Sequence, residues 1–182
     1  MRHTHTLVVL VEDQPGVLNR VVSLMRRRSF NIDSITVGHS EQPGLSRMTL
    51  VVVGEDAEVE QVGKQLYKLL EVVKVTDLPE ATSLTREMVM VKVAAKAQTR
   101  AEVLQVAQIY GARVLDATPS TLMLEATGDE ERIDSFLTMM RTFGIRELVR
   151  SGKIAMSRSG GGKGQSQGRI DRIADAAYAV AD

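Results

Sequence analysis

Cysteine is absent from the 182-residue sequence, so disulfides, thiolate metal sites and cysteine nucleophiles are all excluded. Aromatic residues make up only 3%, with no tryptophan, which leaves few platforms for stacking nucleobases. Neither sign of charge prevails. Lys and Arg number 23, as do Asp and Glu, so no global field draws nucleic acid or an anionic membrane surface. No apolar run approaches the roughly 18 residues needed to span a bilayer. Met1 to His5 leads into a strand-like run with no signal-peptide pattern, so the expected location is the cytoplasm. What remains, at 43% hydrophobic and 25% charged, is an ordinary globular composition, long enough for one domain or two small ones.

Periodicity divides the chain. Thr6 to Val11 reads as a short buried strand. Val17, Leu18, Val21, Val22, Leu24 and Met25 then recur on one helical face, and Arg26-Arg27-Arg28 close that helix at the negative end of its dipole. Asn31 to Val37 alternates with one slip in register. A Pro43-Gly44 loop and the strong strand Leu45 to Val53 complete a hairpin. A helical period returns from Ala57 to Leu70, and Val72 to Leu78 is a last strand ended by Pro79. The order is β-α-β-β-α-β, the split βαβ pattern, in about 75 residues.

The second half repeats this order with little residue identity. Met88 to Val93, Arg113 to Asp116, Thr121 to Thr127 and Ile145 to Val149 read as strands, with Ile154 to Met156 as further strand material. Arg100 to Tyr110 is expected to be a helix with Val103, Leu104, Ala107 and Ile109 inward, and Glu130 to Phe143 a helix capped by Asp129. The expected fold is therefore α+β: two tandem ferredoxin-like βαββαβ domains, at 1–79 and 84–158. A tail at 159–182 follows, Gly/Ser-rich and then carrying material for one short helix from Ile170. The glycines around Lys163 do not form a phosphate loop. Ser157 stands where Walker A needs its first glycine, and Gly164 stands where it needs Ser or Thr.

Chemistry concentrates at one turn, Glu12-Asp13-Gln14-Pro15-Gly16-Val17-Leu18, between the first strand and the first helix. A helix N-terminus offers free backbone amides, and Asp13 sets a carboxylate beside them. That pairing suits a small zwitterion, whose carboxylate meets the amides while its ammonium meets Asp13. A plain helix entry with Asp13 as cap is the competing reading. Asn31 and Ile32 favour the first, because they open the second strand; if two copies pack edge to edge, they approach the partner's first turn. His3 and His5, two apart in a strand, share a face, but spacing suggests no third ligand. The pair reads as a solvated terminus, and no metal site is expected. His39 has no partner in sequence, and the carboxylate pairs Asp56-Glu58 and Glu130-Glu131 read as helix caps, so no catalytic residue is assigned.

Asp13-x-Pro15-Gly16-Val17-Leu18 followed by Asn31-Ile32-Asp33-Ser34-Ile35-Thr36-Val37 resembles the ACT domain of the acetolactate (acetohydroxyacid) synthase small subunits. Leu45 to Thr49, Gln65 to Leu69, Arg86 to Val93, Thr118-Pro119-Ser120 and Arg150 to Arg158 fit the same family, over roughly residues 5 to 158. The resemblance implies a non-catalytic regulatory subunit of branched-chain amino-acid biosynthesis. Such a subunit activates a separate thiamine-diphosphate enzyme and confers feedback inhibition, usually by valine. It implies no cofactor on this chain, with thiamine diphosphate, Mg and FAD on the catalytic subunit. Asp13 would then hold the effector ammonium, and the amides around Gly16, Val17 and Leu18, beside Pro15, its carboxylate. Asn31 and Ile32 would close the site from the partner of a homodimer. Many family members carry Asn at the position of Asp13, which leaves open which branched-chain amino acid is bound. The second domain lacks the Pro-Gly turn at Ala97 to Arg100, so no second effector site is expected there.

Each domain of about 75 residues buries only about 60% of its unfolded surface, and the sheet leaves edges to cover, so pairing of two chains is expected. The partners are then the catalytic subunit, a second copy and the amino acid, with neither nucleic acid nor membrane. Three rivals differ in class. An RNA-binding module of the same element order needs aromatics where these strands hold Val, Leu, Met and Thr. A stand-alone ACT-domain sensor of another pathway would bind no catalytic subunit, and a free-standing enzyme lacks a convergent set of catalytic groups.

Overall fold

Alternation along β1 (His3–Glu12) sets the first sheet, since Leu7, Val9 and Val11 all point to one face and are buried. The computed structural model describes residues 3–159 and 166–168. β1 lies at the centre of its sheet, antiparallel to β3 (Leu45–Gly54) on one side and β4 (Val72–Asp77) on the other. β2 (Ile32–His39) extends the sheet beyond β3. The pairing of β2 with β3 shifts between Ile32 and Ser34, which is the structural form of the slip in alternation there.

Two helices, α1 (Val17–Arg27) and α2 (Asp56–Leu66), cover the Leu7–Val9–Val11 face. Val17, Val21, Leu24 and Met25 of α1 and Val59, Val62 and Leu66 of α2 join the strand residues in one cluster. Each large side chain buried this way stabilises the unit by about 1.5–3 kcal/mol. Leu18 and Val22 lie off that stripe and are exposed. α2 ends at Leu66, four residues before the apolar period does. The amides of Lys68 and Leu69 turn to the carbonyls three residues back, and Tyr67 Oη donates to the Val75 carbonyl while accepting from its amide. Leu70 is left 85% exposed as a result.

The second unit repeats the arrangement. It contains β5 (Ser83–Ala94), α3 (Arg100–Tyr110), β6 (Arg113–Ala117), β7 (Thr121–Gly128), α4 (Glu130–Phe143) and β8 (Ile145–Arg150). Its strand order, β6-β7-β5-β8, matches β2-β3-β1-β4 of the first. Both units are therefore ferredoxin-like and the fold is α+β. Asp129 caps α4 by accepting from the Arg132 amide at 2.9 Å. On α3 the buried residues are Val103, Val106 and Ala107; Leu104 and Ile109, expected inward, are exposed because they fall off the i, i+3, i+4 stripe.

Contacts divide the described residues into Thr85–Ile154 and a unit formed by those up to Leu84 together with those from Ala155 to Ser159 and at 166–168. β9 (Ile154–Ser157) pairs with β5, and β10 (Ser166–Gly168) pairs antiparallel with β4 inside the stretch that composition reads as linker. The glycines around Lys163 and the short helix expected from Ile170 lie outside the described residues.

Candidate functional site

The Asp13 turn joins the end of β1 to α1 and is fixed by backbone first. Glu12 N–H donates to the Glu71 carbonyl, and Asp13 N–H donates to the Gly44 carbonyl at 2.8 Å. The loop after β1 is thereby held against the β2–β3 hairpin. Gly16 then enters α1 with φ of +88°, a left-handed conformation that a side chain disfavours. A Cβ built there meets nothing within 4 Å, so in the protein alone the demand for glycine is conformational rather than steric. No side chain among the described residues caps α1. Among the described residues, the amides of Gly16, Leu18 and Asn19 donate to no protein acceptor, as expected of a first helical turn.

Asp13 supplies the opposite charge. Its Oδ1 accepts from Ser46 Oγ at 3.1 Å, and Oδ2 lies 3.2 Å from His39 Nδ1. The carboxylate is 45% exposed and His39 86%, so a ligand reaches both. Val17 is buried and anchors α1 in the core, whereas Leu18 is 44% exposed beside the turn. The nearby loop is ordered by Glu41, whose carboxyl is held below its usual range by its own backbone amide and by the Arg47 guanidinium at 3.3 Å. α1 is fastened to the loop before β4 by an ion pair from Arg20 to the largely buried Glu71.

Asn31 and Ile32 do not join this group within one chain. Ile32 pairs with Val52, whereas the Asp13 turn follows Glu12, which pairs with Leu45. Seven residues of strand separate those rungs, roughly 23 Å at strand rise. One chain therefore brings together Asp13, Pro15, Gly16, Val17 and Leu18, and it leaves Asn31 and Ile32 at the far end of the sheet.

Sequence spacing missed Ser46 and His39, which only the hairpin register delivers to Asp13. It also missed Asp56. At the other end of β1, His3 Nε2 lies 3.0 Å from Asp56 Oδ1, and His5 is buried rather than solvated. The remaining polar clusters serve structure. Glu55 and Glu58 form a capping box at α2, and Arg28 Nη2 donates to Gln65 Oε1 at 2.9 Å. Glu87, 3% exposed, takes two bonds from Arg150, which also holds Asp134 at 2.8 Å.

Two family models match the chain in tandem: the small-subunit-like ACT domain of acetohydroxyacid synthase over residues 7–74, and the small subunit of acetolactate synthase over 86–159. A protein of Methanothermobacter thermautotrophicus named "probable acetolactate synthase small subunit" is 51% identical over 156 residues, 85% of this chain and 93% of that protein. The acetolactate synthase small subunit of Mycobacterium leprae is 48% identical over 161 residues, 88% of this chain and 95% of that one. The crystal structure of the acetolactate synthase small subunit from Thermotoga maritima superposes with a TM-score of 0.82 at 38% identity, covering 86% of this chain and 98% of that chain. The chain belongs to the acetolactate synthase small-subunit family.

Proposed function

We propose that this chain is the regulatory, non-catalytic subunit of an acetolactate synthase, and that it carries feedback inhibition by a branched-chain amino acid, valine first. One observation carries the site: an exposed Asp13 carboxylate lies in the same turn as the Gly16 entry to α1, where among the described residues the amides of Gly16, Leu18 and Asn19 donate to no protein acceptor. A zwitterion fits that arrangement, its carboxylate on the amides of Gly16, Leu18 and Asn19 and its ammonium on Asp13. Leu18, exposed at the rim, offers apolar contact to a branched side chain.

A homodimer completes the site. Asn31 and Ile32 lie too far from Asp13 to serve the same chain's turn, and an antiparallel pairing of two chains would bring them to the partner's. Effector binding then biases the dimer interface and, through it, the catalytic subunit, in proportion to its preference for one interface state. In this reading residues 1–79 bind the effector, 84–158 form the ACT-like second domain, and 159–182 are a tail outside both. Thiamine diphosphate, Mg and FAD belong to the catalytic subunit, and the holoenzyme works in the cytoplasm.

The test is titration calorimetry of the full chain with valine, leucine and isoleucine, repeated on Asp13→Ala. Saturable heat from one of them that disappears in the variant supports the site. Equal heat in both refutes it. Reconstitution with the catalytic subunit then tests whether activation survives in the variant while inhibition is lost.

A further inference from the structure

At the end of β1 away from Asp13, the first unit gathers a second set of polar groups. His3 and His5 continue the Leu7–Val9–Val11 row, so both imidazoles face the helix side of the sheet. β1 pairs His3 with Gly54 and His5 with Val52, which delivers Asp56, the first residue of α2, over the two rings. His3 Nε2 stands 3.0 Å and His5 Nε2 3.5 Å from the same Asp56 Oδ1. The ligand-capable atoms of the three residues lie within 4.8 Å of one another. The two rings, 4.2 Å apart between centroids, are tilted by 34°.

His5 is the informative member. It is only 9% exposed, and its buried Nε2 has no hydrogen-bond partner among the described residues. At 3.5 Å the Asp56 oxygen is too distant for one, and at 3.6 Å so is Asp77 Oδ2 from Nδ1. A buried imidazole with both nitrogens aimed at carboxylates just out of reach is costly unless something lies between. A small cation answers this. Two ligands at the ordinary 2.0–2.1 Å from a tetrahedral ion stand about 3.3–3.4 Å apart, and the observed 3.0 and 3.5 Å bracket that spacing. Asp77, 3.6 Å from Nδ1 on the far side of His5, would serve as the outer carboxylate after a shift of a few tenths of an ångström brings it within reach of Nδ1–H, leaving Nε2 for the metal.

The donor set narrows the choice of ion. Two imidazoles and one carboxylate suit a first-row divalent metal, whereas Ca²⁺ and Mg²⁺ call for oxygen-rich shells. The positive end of the α2 dipole opposes a cation, but the carboxylates of Glu55 and Glu58 in its capping box offset that field. Three protein ligands leave a fourth position for water, and His5, Asp56, Glu60, Tyr67 and Asp77 help to line an adjoining cavity of about 570 Å³. We propose that His3, His5 and Asp56 bind one Zn²⁺ per chain, joining the start of β1 to the start of α2. This site is independent of the effector reading.

The experiment uses the full, tag-free chain, stripped with a chelator and titrated with Zn²⁺ by calorimetry and by competition against a chromophoric chelator. His3 and Asp56 have exposed side chains, so His3→Ala and Asp56→Asn test the ligands without disturbing the core, with circular dichroism confirming the fold. One zinc per chain is expected. Each of these variants should lose tenfold or more in affinity, and Asp77→Asn about tenfold, the ordinary effect of losing an outer-shell carboxylate. Zinc should raise the melting temperature of the parent chain and not that of Asp56→Asn. No saturable uptake at micromolar zinc, or a loss of less than tenfold in Asp56→Asn, overturns the proposal. The second outcome would reduce the site to a histidine pair without a carboxylate ligand.

Discussion

Replacing Gly16 with Asp separates the shape of the α1 entry from its chemistry. The backbone there has φ of +88° with open space where a Cβ would stand, so the cost to the protein alone is conformational. A residue with a side chain loses about 1–2 kcal/mol in the left-handed region, and Asp is among those that tolerate it best. A carboxylate at a helix N-terminus returns about 0.3–1 kcal/mol. The net loss is about 1 kcal/mol, a fall of roughly 4–8 °C in melting temperature for a domain of this size. Binding should suffer far more. In the proposed site the new carboxylate would compete for the Leu18 and Asn19 amides assigned to the effector's own carboxylate. Losing two charge-assisted bonds at about 1.5–3 kcal/mol each means a hundredfold weaker affinity or worse. Gly16→Asn carries the same strain without the charge and should retain part of the affinity. Calorimetry with valine, set beside melting curves for both variants, reads the two effects apart. A folded Gly16→Asp chain that binds valine within tenfold of the parent would falsify the assignment of the carboxylate to these amides.

Further outcomes follow from named contacts. His39→Ala releases Asp13 Oδ2 from an exposed pair worth at most about 1 kcal/mol, so effector affinity should rise by up to about fivefold; an unchanged or weaker affinity would mean that His39 contributes to the bound state. Arg150→Met leaves the buried Glu87 carboxylate without its partner and should destabilise the second unit by about 3–5 kcal/mol, seen as faster hydrogen exchange along Met88 to Val93. In Arg150→Met/Glu87→Leu most of that loss should return; if it does not, the pair matters through its shape and not its charge. Glu41 has its carboxyl held low, so its contribution is complete above the ordinary carboxylate range and lost as pH falls through the lowered folded value. In Arg47→Ala the Glu41 midpoint, followed by NMR, should move upward, and a fixed midpoint would leave the backbone amide as the sole cause.

The architecture was legible because its signals are local. The short apolar runs of β1 and β3, the stripe through Val17, Val21, Leu24 and Met25, and the Asp129 cap each identify an element without knowledge of its neighbours. Errors arose where a partner decides. Leu69 and Leu70 prolong the helical period, yet Tyr67 bonds both ways to Val75 and stops α2 at Leu66. Leu104 and Ile109 are as apolar as their buried neighbours, and only the angle that α3 presents to its sheet sorts them.

The two candidate sites divide along the same line. At the Asp13 turn, carboxylate, Pro and Gly follow one another at a helix entry, so the proposed zwitterion site could be framed from sequence, although the contacts of Ser46 and His39 with Asp13 could not. At the other end of β1 the ligands are more than fifty residues apart, and spacing alone gave two histidines and nothing else. Register is the missing term. Once β1 is known to pair with β3 in the register that sets Glu12 against Leu45, residue 3 faces residue 54, and the helix that starts two residues later opens above the histidines. A hairpin-like pairing plus a helix start thus converts a weak i, i+2 histidine pair into a three-ligand arrangement. The same reasoning applies wherever a terminal strand lies beside one that feeds a helix: its exposed end should be searched against the first turn of that helix.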